Sequence, residues 1–385
     1  MIQVAKEINT KRIKVKESFE VGEIKEALEK MLYVPDARVK SKVIDELLLY
    51  LKAKLSDLKY KIKPFIGYHN GDICGLVICQ IDPDYTSYSR KCGTFGWFYT
   101  DYLKICREMI KECELFVKEN KIRRLRGPIN FPKSLGGIGI QTMGFQEQML
   151  YGVAFSSPES KTLEFLQSLG YRKESEYTCV YVSQKTWNKG KKIDRDIIFR
   201  YFPLEILYDF IDDIENLANN SLYEILPDSS GINRIHEFFE SFSRIPKSFY
   251  NKKLDINPKN FSEEPKFMEA WEMCDLEKIE PFAPMAFDRK TGKLVGILLG
   301  LPDLYQLWTE NSLTRCNVDT AMIKKEYYGK GIFSALNNIG QLTCNLYEIN
   351  YFEGTTIWSN NSRAIDTIFP HCTPIRKHYV VQKRI

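Results

Sequence analysis

Histidine is scarce in this 385-residue chain: His69, His236, His371 and His378 are the only four, and they are too scattered to suggest a metal site. The ten cysteines include no C-x-x-C pair, and most sit among apolar neighbours, which argues against a zinc site or a disulfide framework. Buried structural thiols in a reducing cytoplasm fit that pattern, with a lone nucleophilic cysteine as the minority reading. Long apolar runs are also missing. The stretch 294–301 is the longest, far short of the roughly 20 residues of a membrane span. The N-terminus is studded with Lys6, Lys11, Arg12, Lys14 and Lys16, so neither a signal peptide nor an anchor is expected. Charge of one sign is barely in excess: 55 basic against 50 acidic residues give +5, which does not demand a nucleic-acid partner but suits an anionic ligand such as a nucleotide phosphate.

What is present is the balance of a globular protein, 44% apolar and 27% charged, in a chain longer than one hydrophobic core usually supports. Two domains are expected. An internal echo divides the chain: Gly71-Asp72-Ile73-Cys74-Gly75-Leu76-Val77-Ile78 matches Gly292-Lys293-Leu294-Val295-Gly296-Ile297-Leu298-Leu299 in pattern. Each follows a short apolar strand (65–68, 284–287) and a polar turn, the chemistry of a tight hairpin. The halves also finish alike, in the alternating segments 177–182 and 378–381, so duplication of one unit explains the pattern better than a short-period repeat. The polar, basic stretch 184–195 reads as a linker or surface loop, placing the cut near residue 190, between a domain 1–190 and a domain 191–385.

Within each half the periodicities alternate. Helices are predicted at 21–32, 39–55 and 102–118 in the first half and at 204–217, 232–242 and 332–347 in the second; the third of each set follows a strand, 95–99 and 318–323 respectively. The fold class is therefore α/β, with a mixed α+β sheet in each half.

The sharpest local signal is Glu326-Tyr327-Tyr328-Gly329-Lys330-Gly331-Ile332-Phe333, where a strand ends and a helix begins. Glycines there allow close backbone approach, and the free amides and dipole of a helix N-terminus favour a diphosphate. A turn with no ligand is the alternative. This octapeptide resembles the acyl-CoA pyrophosphate loop of GNAT (N-acetyltransferase) enzymes, Q/R-x-x-G-x-G/A, with Tyr328 in the Gln/Arg position, Gly331 as the central glycine and Phe333 as the last residue. Two of those three positions depart from the pattern. Trp358-Ser359-Asn360-Asn361-Ser362-Arg363-Ala364-Ile365 resembles the family's next strand and helix start, with N-x-x-A as Asn361 to Ala364, while Ile368 and Phe369 stand where a tyrosine often follows. The segments Gly127-Pro128-Ile129-Asn130-Phe131, Gly136-Gly137-Ile138-Gly139 and Gly144-Phe145, with Gly292, Gly296, Pro302 and Asp303 in the second half, are similar to those of bacterial proteins with two fused GNAT-like domains.

The resemblance implies two tandem GNAT-like domains and transfer of an acyl group, acetyl for example, from acyl-CoA to an amine of a small molecule, with no metal. It implies a donor site built from Ile323, Tyr328, Gly329, Lys330, Gly331, Ile332 and Asn361 in the second half. Thr100-Asp101-Tyr102 in the first half lacks the paired glycines, so its CoA site is expected to be degenerate. Such chemistry needs amides to polarise the thioester, a base for the amine and a proton for the departing thiolate. Asp319 is the candidate base, acting through water, against the bland reading of a solvated strand-end aspartate. Tyr328 is the candidate donor to carbonyl or sulfur. Asn130 and Trp358 are the candidate substrate contacts, though the segment 127–130 reads equally as a plain strand-ending turn. Lys121, Arg123, Arg124 and Arg126 read as a solvated surface or as a landing site for an acidic carrier protein or RNA. Three function classes stay open: the CoA-dependent enzyme, a transferase taking its donor from a carrier protein or tRNA, and a binding module without turnover.

Overall fold

The computed structural model describes residues 13–182, 193–221, 227–229, 232–250, 269, 279–361 and 372–385. Residues 184–192 of the stretch 184–195, Ala364 and the positions of the absent family tyrosine lie outside them. In the first half the elements run β1 (Ile13–Glu17), α1 (Val21–Met31), α2 (Lys40–Leu55), β2 (Lys61–His69), β3 (Asp72–Ile81), β4 (Thr86–Ser87), β5 (Arg90–Lys91), β6 (Gly93–Thr100), α3 (Leu103–Glu119), β7 (Arg124–Gly127), α4 (Lys133–Gly136), β8 (Ile140–Met143), α5 (Thr162–Ser168) and β9 (Arg172–Val182). The second half contributes β10 (Ile197–Arg200), α6 (Leu204–Leu207), α7 (Ile211–Ser221), β11 (Asp228–Ser229), α8 (Ile232–Ser243), α9 (Lys247–Tyr250), β12 (Met285–Asp288), β13 (Leu294–Pro302), α10 (Leu304–Glu310), β14 (Arg315–Ile323), α11 (Ile332–Leu346), β15 (Tyr351–Trp358) and β16 (Thr373–Arg384).

Both expected hairpins form. Asn70 and Gly71 have φ of 55° and 93°, the left-handed pair that turns β2 into β3 with the right twist. The helices sit where the apolar period put them, except that 204–217 is not one helix: a 3-10 turn (Tyr208–Phe210) separates α6 from α7. α3 buries Ile105, Met109 and Cys113 on the sheet, and the glycines of β2 and β3 make the fit possible. A Cβ on Gly67 or Gly75 would meet Ile105 Cγ2 at 2.6 or 2.7 Å.

The two halves share one sheet, in the order β1-β2-β3-β6-β7-β16-β9-β15-β14-β13-β12-β10. Each half ends in the other's territory. β16, the last strand of the chain, pairs antiparallel with β7 of the first half (Val381↔Gly127 to Arg384↔Arg124), and β9 pairs antiparallel with β15 of the second (Phe352↔Val182 to Trp358↔Tyr177). Between them β9 and β16 pair along their length, from Thr373↔Tyr181 to Gln382↔Arg172. The similar endings noted in the sequence are these two exchanged strands.

A buried charge cluster staples the halves together. Asp228, on β11, reaches into the first half, where Arg126 Nε and Nη2 donate to its two carboxylate oxygens at 2.5 and 2.8 Å, and the hydroxyls of Tyr85 and Tyr177 also donate to it. Arg126 and Asp228 side chains are fully inaccessible. Burial alone would raise the Asp228 carboxyl; Arg126 and the tyrosines outweigh it and hold the group below its usual range. The basic run 121–126 is therefore split. Lys121 and Arg123 are exposed, while Arg126 is spent on this pair and is no landing site for an acidic partner.

Two outcomes follow from this architecture. A chain ending at residue 190 lacks β16 and should show no cooperative unfolding by circular dichroism, whereas the full chain melts in one transition and co-expressed halves regain it. Asp228→Asn leaves the Arg126 guanidinium buried without its counter-charge and should cost about 3 kcal/mol or more in urea unfolding at neutral pH.

Candidate active site

β14 and β15 are parallel, and they pair only at their starts, from Arg315↔Tyr351 to Val318↔Gly354. Beyond that point β14 stays on β13 as far as Gly296↔Ile323, while β15 stays on β9 at Ile357↔Thr178 and Trp358↔Tyr177. With each strand held on its far side, a wedge opens between 319–323 and 355–358. At its apex the β13–β14 register shifts: Leu299 faces Thr320 and Gly300 faces Val318, so Asp319 is the extra residue of a β-bulge. A bulged residue leaves its peptide groups outside the ladder. Here β15 has already left the other side, so those groups border the wedge.

The root of the wedge is locked. Asn317 accepts from Thr355 Oγ1 at 2.5 Å and donates Nδ2 to the Tyr151 carbonyl at 2.9 Å, tying β14, β15 and the first half at one buried point. Thr356, with φ of 54°, lies where β15 shifts register against β9.

At the open end β14 runs through a 3-10 turn (Lys325–Tyr327) into Gly329 and Gly331, at φ of 81° and 77°, and Gly331 caps α11. A Cβ at Gly329 would meet nothing within 4 Å, so this glycine serves the backbone angle and leaves the surface of the turn clear. The Ala335 amide is bonded back to the Gly331 carbonyl at 3.1 Å; the amides of Ile332, Phe333 and Ser334 precede that first helical bond and point out of the helix end. Lys330 adds positive charge beside them, 4.6 Å over the Tyr327 ring and 3.3 Å from Asp194. Tyr327 is anchored by donating to Asp288 at 2.8 Å, while Tyr328 is 44% exposed.

Asp319 is not a solvated strand-end aspartate. Its Oδ1 accepts from Arg234 Nη2 at 2.5 Å and its Oδ2 from Thr320 Oγ1 at 2.6 Å. Arg234, on α8, is also 3.1 Å from Glu237, whose carboxylate accepts the Lys133 and Ser134 amides at the start of α4. Burial works against the Arg234 charge, but Asp319 and Glu237 more than offset it, and its pKa is raised. The sequence reading took α8 only as a helix. The Arg234-x-x-Glu237 spacing was the available signal, two ionisable groups one turn apart on a face that also carries Ile235 and Phe238.

The structure thus joins Asp319, Ile323, Tyr328, Gly329, Lys330, Gly331 and Ile332 in one continuous strand, turn and helix. Trp358 and Asn361 lie at the end of the opposite wall; the Asn361 amide bonds the Trp358 carbonyl at 2.8 Å, and Trp358 meets Tyr88 of the first half edge-on, ring centres 6.1 Å apart. Asn130 belongs to a separate wedge in the first half. There β6 and β7 pair in parallel only at Gly93↔Leu125 and Thr94↔Arg126, and β6 bulges at Trp97, with φ of 45°. Asn130 fills that apex: its Oδ1 accepts the Trp97 amide at 2.7 Å and its Nδ2 donates to the Gly136 carbonyl at 2.9 Å. A cavity of about 370 Å³ remains beyond it, bordered by Thr100, Asp101 and Thr162.

Sequence comparison finds no match, either to a protein-family profile or to a curated protein. Comparison of folds does. A tandem GNAT protein from the clavulanic acid biosynthesis pathway aligns with a TM-score of 0.54 at 9% identity, over 97% of this chain and 98% of that one. The chain has the tandem GNAT fold. A GCN5-related N-acetyltransferase from Sphaerobacter thermophilus gives a TM-score of 0.53 at 9% identity, over 98% and 97% of the two chains. A fungal multi-domain β-N-acetylglucosaminidase with a GCN5-related glucosamine N-acetyltransferase region gives 0.55 at 10% identity, over 96% of this chain and 38% of that protein. In this tandem GNAT fold the two bulged, splayed strand pairs are the duplicated feature.

Among the described residues no three His, Cys, Asp or Glu side chains gather as they would around a metal ion, and no helix is long and apolar enough to cross a membrane. Burial pushes the thiols of Cys92 and Cys106 up to about 12 and that of Cys74 to about 11, which leaves them protonated and poor nucleophiles at neutral pH.

Arg234→Met should reveal the cost of the two carboxylates it holds. Without the guanidinium, the buried Asp319 and Glu237 carboxylates are left with no counter-charge between them. The variant should therefore lose about 3 kcal/mol or more in urea unfolding at neutral pH, and Arg234→Lys should recover part of that loss.

Proposed function

We propose that the chain is an acyl-CoA-dependent N-acyltransferase whose donor lies in the second-half wedge, with the diphosphate on the Gly329–Gly331 turn. The observation that carries this is the pairing of a bulge at the apex of the wedge with an open glycine turn at its end. One offers main-chain donors to a thioester carbonyl, the other free amides to phosphates. Lys330 adds charge at the phosphate end, and Ile323, Ile332 and Asn361 line the approaches.

The same geometry separates two roles given to Tyr328. Four residue steps of extended strand, 319–323, span about 13 Å, and Tyr328 sits on the turn beyond the end of β14. Tyr328 therefore acts on the phosphate side and not at the sulfur. In the transfer the amine nitrogen bonds to the thioester carbon, the carbon–sulfur bond breaks, and the thiolate leaves as the thiol, taking through water the proton that the nitrogen sheds after attack. Asp319, held on the bulge by Arg234, takes a proton from the ammonium form of the acceptor through water. Trp358, on the facing strand, packs against the acceptor.

In the first half the Trp97 amide, the counterpart at the other bulge, already donates to Asn130, so no equivalent donor is left for a carbonyl. This supports a donor site in the second half alone, with Asn130 acting as a plug and not as a substrate contact.

Calorimetric titration with CoA and acetyl-CoA checks the assignment. Wild type should bind; Gly331→Val, which strains a left-handed backbone, and Lys330→Glu, which reverses a half-exposed charge, should each weaken binding at least about tenfold. Glu159→Trp, at the mouth of the first-half cavity, should leave it unchanged. Loss only in Glu159→Trp would move the donor to the first half. No binding by folded wild type would discard CoA in favour of a carrier-bound or tRNA-bound donor.

A further inference from the structure

The first-half wedge keeps a cavity of about 370 Å³ although Asn130 has closed its apex. The volume falls within the range of small-molecule sites, roughly 300–1,000 Å³. We propose that this cavity binds a neutral saccharide, so that the first half is a carbohydrate-recognition unit beside the transferase half. The proposal goes beyond the donor assignment and does not depend on it.

Charge separates this cavity from the other wedge. Lys30, Asp101, Glu159 and Lys161 are the charged side chains of the lining; all four are exposed, and two are of each sign. Lys30 also lies 4.0 Å from Asp72. The inner surface, made by Phe98, Thr100, Pro128, Asn130, Ile140 and Thr162, is buried and carries no charge. A diphosphate at the rim would meet as many carboxylates as ammonium groups, and farther in it would lose its water without meeting a cation. An uncharged ligand pays no such penalty.

Hydroxyls set the polar contacts. Tyr33, Ser156, Ser157, Ser160 and Thr162 all line the cavity. The Tyr33 hydroxyl makes no hydrogen bond to any described residue. Ser156 and Ser157 Oγ accept the amides of Gln141 and Glu159 at 3.2 and 3.3 Å, so their own protons remain to be donated. Ser160 and Thr162 share one bond at 2.9 Å, which occupies one of their two protons. A hydroxyl both gives and accepts a hydrogen bond, and its match is a ligand whose own groups do both, an alcohol many times over.

The half-buried rings of Tyr99 and Phe155 supply flat apolar area for the C–H face of a sugar ring. Phe155 is held from behind by Tyr305 of the second half, ring centres 6.5 Å apart. Neutral floor, balanced rim, unspent hydroxyls and aromatic faces together describe a ligand that is uncharged, polyhydroxylated and flat on one side.

The test is calorimetric titration of the full chain with glucose, galactose, N-acetylglucosamine, maltose and cellobiose. At least one should bind with a Kd of about 1 mM or tighter, and its 6-phosphate or uronate, which puts a negative charge on the same ring, should bind at least about tenfold more weakly. Glu159→Trp, at the exposed mouth, should cut the affinity at least about tenfold. Tyr33→Phe removes one hydroxyl and no hydrogen bond to a described residue, and should cost about fivefold with the melting temperature unchanged. Failure of all these sugars to bind overturns the proposal, as does equal affinity for the charged derivative or binding that both variants leave intact. CoA that displaces the bound sugar would hand the cavity to the donor and overturn it too. If no sugar binds while CoA binds wild type and not Gly331→Val, the donor assignment survives alone. Sugar binding lost in the two first-half variants while CoA never binds would keep the saccharide site and discard the CoA reading.

Discussion

The antiparallel contact between β9 and β16 is the joint on which the rest of this molecule depends. Neither strand lies beside the elements that precede it in the chain. β7 and β15 would each present an unpaired edge in an isolated half, and a row of open amides and carbonyls in a buried position is costly. Exchange of the last strands satisfies both edges at once and makes the halves obligate partners, although the sequence between them looks like an ordinary linker. The Arg126–Asp228 pair acts with this joint. Two buried charges add little net stability compared with an apolar filling, but they tolerate only one alignment, so they specify how the halves meet.

The reactive geometry is a by-product of sheet topology. Parallel neighbours need a crossover, and the crossover helices α3 and α11 leave from the ends of β6 and β14, where the strands part. A strand pair that separates while each member stays hydrogen-bonded on its far side creates a narrow slot whose walls are main chain. The bulge then turns peptide groups toward the slot without disturbing the ladder beyond it. Nothing in this requires a particular side chain, which is consistent with a fold shared at 9% identity.

That same point decides what could be read from the sequence. The hairpins at Asn70-Gly71 and Gly292, the helix periods of α3 and α11 and the glycine turn before α11 are local, and they were legible because backbone angle and apolar spacing leave marks on neighbouring residues. The strand exchange left no such mark, since 177–182 and 378–381 read as strands whichever sheet they join. Asp319 was recognised as a carboxylate at a strand end, yet its partner Arg234 lies 85 residues away in sequence and nothing at either position announces the pair. Asn130 was singled out as a candidate substrate contact, with a plain strand-ending turn as the equal reading; what it binds here is the main-chain amide of Trp97, which no pattern of side chains can reveal.

The two halves now differ at two points that matter to chemistry. At the helix start, Gly329 and Gly331 keep one turn open where Asp101 and Tyr102 occupy the other. At the bulge, the first half spends its Trp97 amide on Asn130, while in the second half the bulged residue contributes its side chain to Arg234, which also holds Glu237. On the proposed reading duplication freed one copy from handling the donor, and the change that closed it was small: a single amide side chain that accepts the hydrogen bond a carbonyl would have taken. The closed copy still supplies the β7 edge on which β16 pairs and the Arg126 charge that meets Asp228, so exchange of the last strands keeps it in the molecule whatever its own wedge binds.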